Sequence, residues 1–231
     1  MAKVYYDFHI HSCLSPCGAD DMTPATIVGF AKIVGLDMIA LSDHNSIQNV
    51  AAAMKAGETY GVTVIPGIEL QTAEDVHVLC LFRTLGGLTD FYNGITMIVL
   101  PNRKDIFGSQ LIVDADDNVL GEHALYLLAA SDVSIDEVAE RARTHGGVAI
   151  PAHIDRQANG AVGILGDVPD GFKVVELSPN AGENQIEEYS RRFKVIFNSD
   201  AHTLLGIEKK NSIELKEKSI NGLFEYFEGG K

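Results

Sequence analysis

Seven short apolar runs alternate with helical patterns along most of this chain, and this alternation limits the folds open to it. The runs are rich in Val and Ile and cover residues 3–8, 37–41, 62–66, 76–82, 147–151, 173–177 and 194–197. Near-continuous apolar strands separated by helices are typical of a parallel sheet covered by helices. The sequence therefore predicts an α/β fold, either an open sheet or a closed barrel.

Helix signals stand between these runs. Pro24 occupies a favoured first helical position, and apolar residues then recur at helical spacing as far as Gly35. Ser134 and Glu137 have the spacing of a capping box, which predicts a helix that runs towards His145. These helices supply the crossovers that parallel strands need.

One long segment, residues 84–131, interrupts the alternation. Its pattern predicts a short helix near residues 88–96 and then a hairpin in the stretch QLIVDADDNVLG. The acidic turn of that hairpin does not fit a calcium loop, because Val119 stands where the loop needs Gly and Leu125 where it needs Glu. We expect residues 1–231 to form one domain, with residues 84–131 inserted after the fourth strand.

Charge and cysteine content exclude some classes of protein. The formal net charge is −14 at pH 7, and such a surface repels long nucleic acids, so long duplex DNA is not an expected partner. No apolar stretch is long enough to span a bilayer, and the first residues do not resemble a signal peptide. Three cysteines are an odd number, which favours a reducing cytoplasm over a disulfide framework.

Residues suited to binding metals follow most of the predicted strands. In chain order they are His9 and His11, Asp43 and His44, Glu69, His153 with Asp155, and Asp200 with His202; Glu176 lies on the sixth strand and His77 near the start of the fourth. Carboxyl ends of parallel strands share one edge of a sheet, where sites are built. Side chains two apart on a strand point to the same side, which directs His9 and His11 into one place.

Mixed sets of His, Asp and Glu serve hydrolytic sites that hold two or more metals. Of the eight histidines, only His123 and His145 fall outside the strand ends, and we expect them on the surface and in the last turn of a helix. Asp155 and Glu176 are left open between a role in the site and that of buried, hydrogen-bonded core groups.

In order along the chain, the strand-end motifs resemble those of the PHP family, named for polymerase and histidinol phosphatase. They are H-x-H at His9, S-D-H-N at His44, P-G-I-E at Glu69, P-A-H at His153 and N-S-D-A-H at Asp200. The resemblance implies a distorted (β/α)7 barrel, which agrees with the seven predicted strands. It also implies a site with two or three divalent metals, Mn, Zn or Fe, that hydrolyses phosphate esters.

Carried over motif by motif, the resemblance implies the metal ligands. The first metal would be held by His9, His11, Glu69 and Asp200. A second, bridged by Glu69, would be held by His77 and His153. A third would be held by His44 and His202.

One ligand of the third metal departs from the family pattern, which has Asp or His a few residues after H-x-H. Cys17 falls nearest that place, and Asp20 and Asp21 follow it. A thiolate there would favour zinc. The alternative is that Cys13 and Cys17 are both buried apolar thiols.

The resulting hypothesis is a phosphoesterase in which a hydroxide held between two metals attacks phosphorus. Arg156 is the best candidate to bind the substrate phosphate, the alternative being a surface salt bridge. Arg83, Arg103 and Lys104 are weaker candidates, because they lie at or inside the inserted segment. We expect that segment to roof the pocket and to select the substrate.

Three substrates fit this hypothesis: a small phosphomonoester, a nucleotide, or the end of a short oligonucleotide. Two other classes stay open. A metal-dependent amide hydrolase usually carries a carboxylated lysine on a strand, and no Lys is well placed on strands three to five. A non-catalytic PHP module should have lost ligands, which this chain retains. The sequence gives no oligomeric state.

Overall fold

The structure is a computed structural model that describes residues 1–229. Its strands are β1 (Ala2–Ile10), β2 (Met38–Leu41), β3 (Thr63–Gln71), β4 (His77–Phe82), β5 (Leu111–Val113), β6 (Val119–Glu122), β7 (Gly147–Pro151), β8 (Val174–Leu177), β9 (Lys194–Phe197) and β10 (Asn211–Leu215). Its helices are α1 (Pro24–Val34), α2 (Val50–Tyr60), α3 (Leu85–Asn93), α4 (Lys104–Phe107), α5 (Ile135–Thr144), α6 (Ala161–Leu165), α7 (Glu183–Arg192) and α8 (Ile220–Glu228). Six strands form the main sheet in the order β10-β1-β2-β3-β4-β7, while β5 pairs with β6 and β8 with β9.

The direction of β4 corrects the prediction of a parallel sheet. β1, β2 and β3 run parallel, but β4 is antiparallel to both of its neighbours, β3 and β7. An apolar run carries no information on direction. The turn from Gln71 to His77 is too short for the crossover that a parallel pair needs. The reversal brings the first residue of β4, His77, to the edge where β3 ends.

The sheet curls without closing into one hydrogen-bonded ring among residues 1–229. On one side, the backbone N–H of Ile154, just after β7, donates to the carbonyl of Glu176 in β8 at 2.9 Å. On the other, a single parallel bridge joins Ile10 to Ala201, just after β9. The predicted α/β class is confirmed in the form of a curled half-barrel, whereas a count of seven barrel strands is not confirmed.

Residues 84–131 lie between β4 and α5 and hold α3, α4 and the β5–β6 hairpin. Asn45 ties the end of this segment to the sheet. Its Nδ2 donates to the carbonyl oxygens of Leu127 and Ala129 at 2.8 and 2.9 Å, and its Oδ1 accepts from the backbone N–H of Gln71 at 2.9 Å. The wall formed by residues 127–131 is therefore fixed beside the carboxyl end of β3.

The turn of the β5–β6 hairpin caps α1, a helix that is distant in sequence. Thr23, the residue before α1, makes no capping bond with its own side chain. Asp117 supplies the cap instead, because its carboxylate accepts from the backbone N–H groups of Ala25 and Thr26 at 2.9 and 3.1 Å. A carboxylate at a helix N-terminus satisfies free donors and interacts favourably with the helix dipole.

Helix α8 covers the interior of the curl. Leu223, Phe224 and Phe227 are fully buried in the same cluster as Phe8 of β1. Burial of aromatic side chains on this scale contributes strongly to stability. None of the helices described is long and apolar enough to cross a bilayer.

Candidate metal centre

The side chains predicted as metal ligands converge at one edge of the sheet. They come from the end of β1 (His9, His11), the loop after it (Cys17), the loop after β2 (His44), β3 (Glu69), the start of β4 (His77), the loop after β7 (His153) and the loop after β9 (Asp200, His202). The rings of His9 and His11 have centroids 5.1 Å apart, as expected for alternate residues on a strand. The strand ends thus assemble residues from almost the whole chain.

Glu69 lies at the centre of this cluster, with a side chain that is only 1% exposed. Its Oε1 lies 2.9 Å from Nδ1 of His77, 3.1 Å from Nε2 of His153 and 3.2 Å from Nε2 of His9. Its Oε2 lies 2.9 Å from Nδ1 of His44. A carboxylate that faces imidazoles with both oxygens is placed to bridge two cations.

Asp200 forms the second acidic point of the cluster. Its Oδ1 lies 3.0 Å from Nε2 of His11 and 3.5 Å from Nε2 of His9. Asp200 has a φ of 53° and His153 a φ of 31°. Such left-handed backbone costs free energy in residues other than Gly and is typical of functional sites.

A further group has ligand atoms that all lie within 4.8 Å of one another, and it consists of His11, Cys17, His44 and His202. Cys17 is therefore the candidate for the third-metal ligand that differs from the Asp or His of the family pattern. Asp20 and Asp21 are exposed and belong to no such group within residues 1–229. Cys13 is buried, as the alternative of apolar thiols expects, whereas Cys17 is exposed.

The donor atoms fit divalent cations. His9 Nε2, His44 Nδ1, His153 Nδ1 and Glu69 Oε2 are buried and have no hydrogen-bond partner. Buried polar atoms in proteins are normally paired, and each orphan carries a desolvation cost. Of these atoms, His44 Nδ1 and Glu69 Oε2 nevertheless lie 2.9 Å apart, and His9 Nε2 lies 3.2 Å from the other oxygen of Glu69. Cations between them would satisfy the lone pairs that hydrogen bonds leave free.

The ionisable groups of this cluster shift one another's pKa values. Burial alone would raise the pKa of Glu69, but the imidazoles of His77, His9 and His44 hold it well below its usual range. Burial is likewise outweighed at Asp200, whose pKa is lowered by His9 and His11. Burial, together with the neighbouring His44, lowers the pKa of His11 to about 3. The pKa of His9 shifts the other way, because burial is outweighed by Glu176, Glu69 and Asp200, which raise it well above the usual value. Metals bind neutral imidazole and ionised carboxylates, so a cation at His9 would displace a proton.

The two residues left open by the sequence both lie outside this cluster of donors. Glu176 accepts from Nδ1 of His9 at 3.0 Å and from Nδ2 of Asn198 at 2.8 Å, so it orients the His9 ring. Asp155 accepts from the backbone N–H and the hydroxyl of Ser178 at 2.7 and 2.6 Å. Glu176 therefore acts on the site through His9, and Asp155 fixes a loop.

A pocket of about 370 Å³ opens over the cluster. Its lining includes Cys17, His44, Glu69, Gln71, His77, Leu128, His153, Arg156, Ala158, Asn159, Asp200 and His202. Arg156 is the one Lys or Arg side chain in this lining, and its Nη1 donates to Oδ2 of Asp200 at 2.6 Å. Arg83, Arg103 and Lys104 are not among the lining residues. They pair instead with Glu228, Asp105 and Glu122 respectively.

Sequence reasoning missed Gln71, Leu128 and Asn159 in the pocket wall. No motif marks them, because they enter the wall through backbone contacts such as the bond from the N–H of His77 to the carbonyl of Asn159 at 2.9 Å. His123, which pairs with Oε1 of Gln48, lies outside the cluster.

A family model described as the PHP domain matches residues 7–159. The chain belongs to the PHP family. The matched range confirms the resemblance found in the motifs and contains every PHP motif from His9 to His153. The N-S-D-A-H motif with Asp200 and His202 lies beyond the matched range, and the fold brings it to the same edge.

Solved structures share this PHP fold. Endonuclease Q of Pyrococcus furiosus, a lesion-specific endonuclease, has a TM-score of 0.68 and 20% identity over 98% of this chain and 56% of its own. A protein of Bifidobacterium adolescentis described as a metal-dependent phosphoesterase has a TM-score of 0.60 and 19% identity, with 96% and 94% covered. An amidohydrolase of Chromobacterium violaceum with bound sulfate has a TM-score of 0.62 and 16% identity, with 94% and 93% covered. This chain spans little more than half of the endonuclease.

Proposed function

We propose that this protein is a metal-dependent phosphoesterase. The observation that carries the proposal is the convergence of four imidazoles on the carboxylate of Glu69, with nitrogen to oxygen distances between 2.9 and 3.2 Å. Divalent cations held there would generate a nucleophile from water at neutral pH and neutralise charge on the phosphoryl oxygens.

His9, His11, Glu69 and Asp200 would hold one cation, and Glu69 would share the second with His77 and His153. His44 and His202 would hold a third with Cys17, which replaces the expected Asp or His. The carbonyl of Asp200 lies 2.8 Å from Nδ1 of His202. A carbonyl only accepts hydrogen bonds, so Nδ1 carries the hydrogen and Nε2 keeps the free lone pair.

Arg156 is the side chain proposed to bind the substrate phosphate. Its own side chain is 42% exposed at the pocket, and only Nη1 is engaged with Asp200. The guanidinium therefore retains further N–H donors, and a planar fork of donors matches two phosphate oxygens. Arg156 would bind and orient the ester while the bond from Nη1 to Asp200 fixes the orientation of the guanidinium.

The substrate we propose is a small phosphomonoester, a nucleotide or the end of a short oligonucleotide. A pocket of about 370 Å³ lies within the range that holds small ligands, about 300–1,000 Å³. Leu128, from the inserted segment, forms an apolar part of its wall, which supports a role for that segment in roofing the site and selecting the substrate.

The test is hydrolysis of p-nitrophenyl phosphate and bis(p-nitrophenyl) phosphate by protein stripped with a chelator and then reloaded with Mn²⁺ or Zn²⁺. We expect metal-dependent turnover that His9→Ala and Asp200→Asn abolish. His123→Ala is the matched control, because His123 lies outside the cluster.

A p-nitroanilide included beside the esters tests the amide alternative. Turnover of the anilide alone would contradict the proposal, as would a wild-type protein that binds no divalent metal. Bound metal without turnover of any of the three compounds would favour the non-catalytic module.

A further inference from the structure

The hydroxyl of Ser15 lies between the metal cluster and a carboxylate that the cluster does not use. It is 2.7 Å from Oδ1 of Asp43, 3.1 Å from Nδ1 of His11 and 3.1 Å from the backbone nitrogen of His44. Asp43 and Ser15 are both fully buried. One hydroxyl thus contacts two consecutive strand-end motifs.

The hydrogen of this hydroxyl has a single destination. A Ser hydroxyl has one hydrogen to donate and two lone pairs with which to accept. Both oxygens of Asp43 already act as acceptors, Oδ1 from the backbone N–H of Ser12 and Oδ2 from the Ser12 hydroxyl, each at 2.7 Å, and the backbone N–H of His44 can only donate. The hydrogen of Ser15 therefore points to Asp43, and towards His11 the oxygen presents a lone pair.

This arrangement determines which nitrogen of His11 carries its hydrogen. Nδ1 faces a lone pair, so Nδ1 must be the donor, and Nε2 is left as the free acceptor. Nε2 lies 3.0 Å from Oδ1 of Asp200 and 3.4 Å from Oε2 of Glu69. Three acceptors then face one another, an arrangement that a cation between them would resolve.

We propose that Ser15, held by Asp43, is a positioning residue that fixes the metal-binding tautomer of His11. The effect on metal affinity rests on the proposed function. The proposal adds a positioning role for two residues outside the ligand set. Groups that orient ligand histidines through the second ring nitrogen usually change metal affinity by about 10- to 100-fold when removed.

Ser12 provides a matched control within the same network. Its hydroxyl donates to Oδ2 of Asp43 at 2.7 Å and accepts from the N–H of Leu14 and from Nδ2 of Asn49. Ser12 is as buried as Ser15, and within residues 1–229 its hydroxyl makes no hydrogen bond to the His11 ring. If these serines only stabilised the loop, Ser12→Ala would weaken zinc binding at least as much as Ser15→Ala.

The first measurement is zinc affinity of the full chain, by competition with a chromophoric chelator, for wild type, Ser15→Ala and Ser12→Ala. Ser15→Ala should weaken the tightest zinc site by about 10- to 100-fold, and Ser12→Ala by much less. Equal losses in the two variants, or none in Ser15→Ala, would overturn the proposal.

The second measurement reads the tautomer in wild type itself and needs no bound metal. Nitrogen-15 spectra of histidine-labelled, metal-free wild type at neutral pH report the tautomer, with His11 assigned by its disappearance in His11→Gln. Protonated Nδ1 supports the proposal, and protonated Nε2 with a bare Nδ1 refutes it. If wild type binds no zinc, the proposed function fails, and this spectrum still decides the tautomer.

Discussion

Arg156 and Asp200 form an ion pair at the mouth of the pocket, with Nη1 2.6 Å from Oδ2 while Oδ1 of the same carboxylate faces His11. One carboxylate therefore links the candidate phosphate-binding group to the metal cluster. The pair is in part exposed, so its value lies in orientation more than in stability.

Replacing Arg156 with Gln should reduce kcat/KM for a phosphomonoester by about 10- to 100-fold, since hydrogen bonds to charged groups contribute about 1.5–3 kcal/mol. The loss should appear mainly in KM if the guanidinium binds ground and transition states alike. Steady-state kinetics of the metal-loaded protein measure it. Arg103→Gln, which removes an exposed Arg paired with Asp105, is the control and should change little.

Cys17→Ala should lower the number of zinc ions that the protein retains after dialysis, because it removes one donor from the group formed with His11, His44 and His202. Cobalt-loaded wild type should also show a thiolate-to-cobalt charge-transfer band that the variant lacks. Cys80→Ala is the control, since Cys80 is buried in the core away from the cluster. Retention of the band in Cys17→Ala would remove Cys17 from the ligand set.

Asp117→Gly should destabilise the protein by about 1 kcal/mol through loss of the cap on α1. Gly is chosen because Asp117 has a φ of 62°, where another side chain would add strain. Urea unfolding of the metal-free protein measures the effect. Asp116→Ala is the control, since the Asp116 carboxylate accepts no hydrogen bond from residues 1–229. An equal loss of stability there would assign the effect to the turn itself.

Asn45→Asp should loosen the wall formed by residues 127–131. A carboxylate cannot donate to the carbonyls of Leu127 and Ala129. The buried carbonyl of Leu127 then loses its partner at about 1–3 kcal/mol, and the half-buried carbonyl of Ala129 at less. Limited proteolysis should then cut near residues 124–131 faster than in wild type. Asn118→Asp, in the exposed hairpin turn, is the control. An unchanged cleavage pattern would show that Asn45 does not hold the wall.

Asp37 should make the stability of the protein depend on pH, in a direction that follows from its pKa shift. Burial alone would raise its pKa, but Lys218 and the backbone N–H of Tyr5 lower it. A carboxyl whose pKa is depressed on folding stabilises the protein above its unfolded pKa, and this stabilisation is lost as the pH falls. Asp37→Asn should therefore be less stable than wild type at pH 7. The gap should narrow below about pH 4, as measured by urea unfolding.

The sequence was most informative where local pattern and chemistry coincide. His9 and His11 are readable because a strand alternates its side chains, and Pro24 marks the start of α1 because its ring suits the first turn. The α/β class follows from the apolar runs. These features depend on residues that are near neighbours in the chain.

Other features depend on contacts between distant segments. The direction of β4 is set by its pairing with β3 and β7, and the cap of α1 comes from Asp117 across the fold. Cys17 is ambiguous in sequence because its thiol fits both a core and a ligand set, and only its neighbours in space distinguish the two. The bond network of Ser15 and Asp43 likewise joins separate loops.

The reversal of β4 has a consequence for the order of folding. Glu69 and His77 stand on the two arms of one hairpin, whose register pairs Gln71 with His77. Hairpins form in about 1–10 μs, whereas parallel pairs wait for the closure of long loops. We therefore expect the carboxylate of Glu69 and the imidazole of His77 to meet before the rest of the sheet is complete. We expect this hairpin to bring the first two groups of the cluster together, and the later strands to add the remaining histidines.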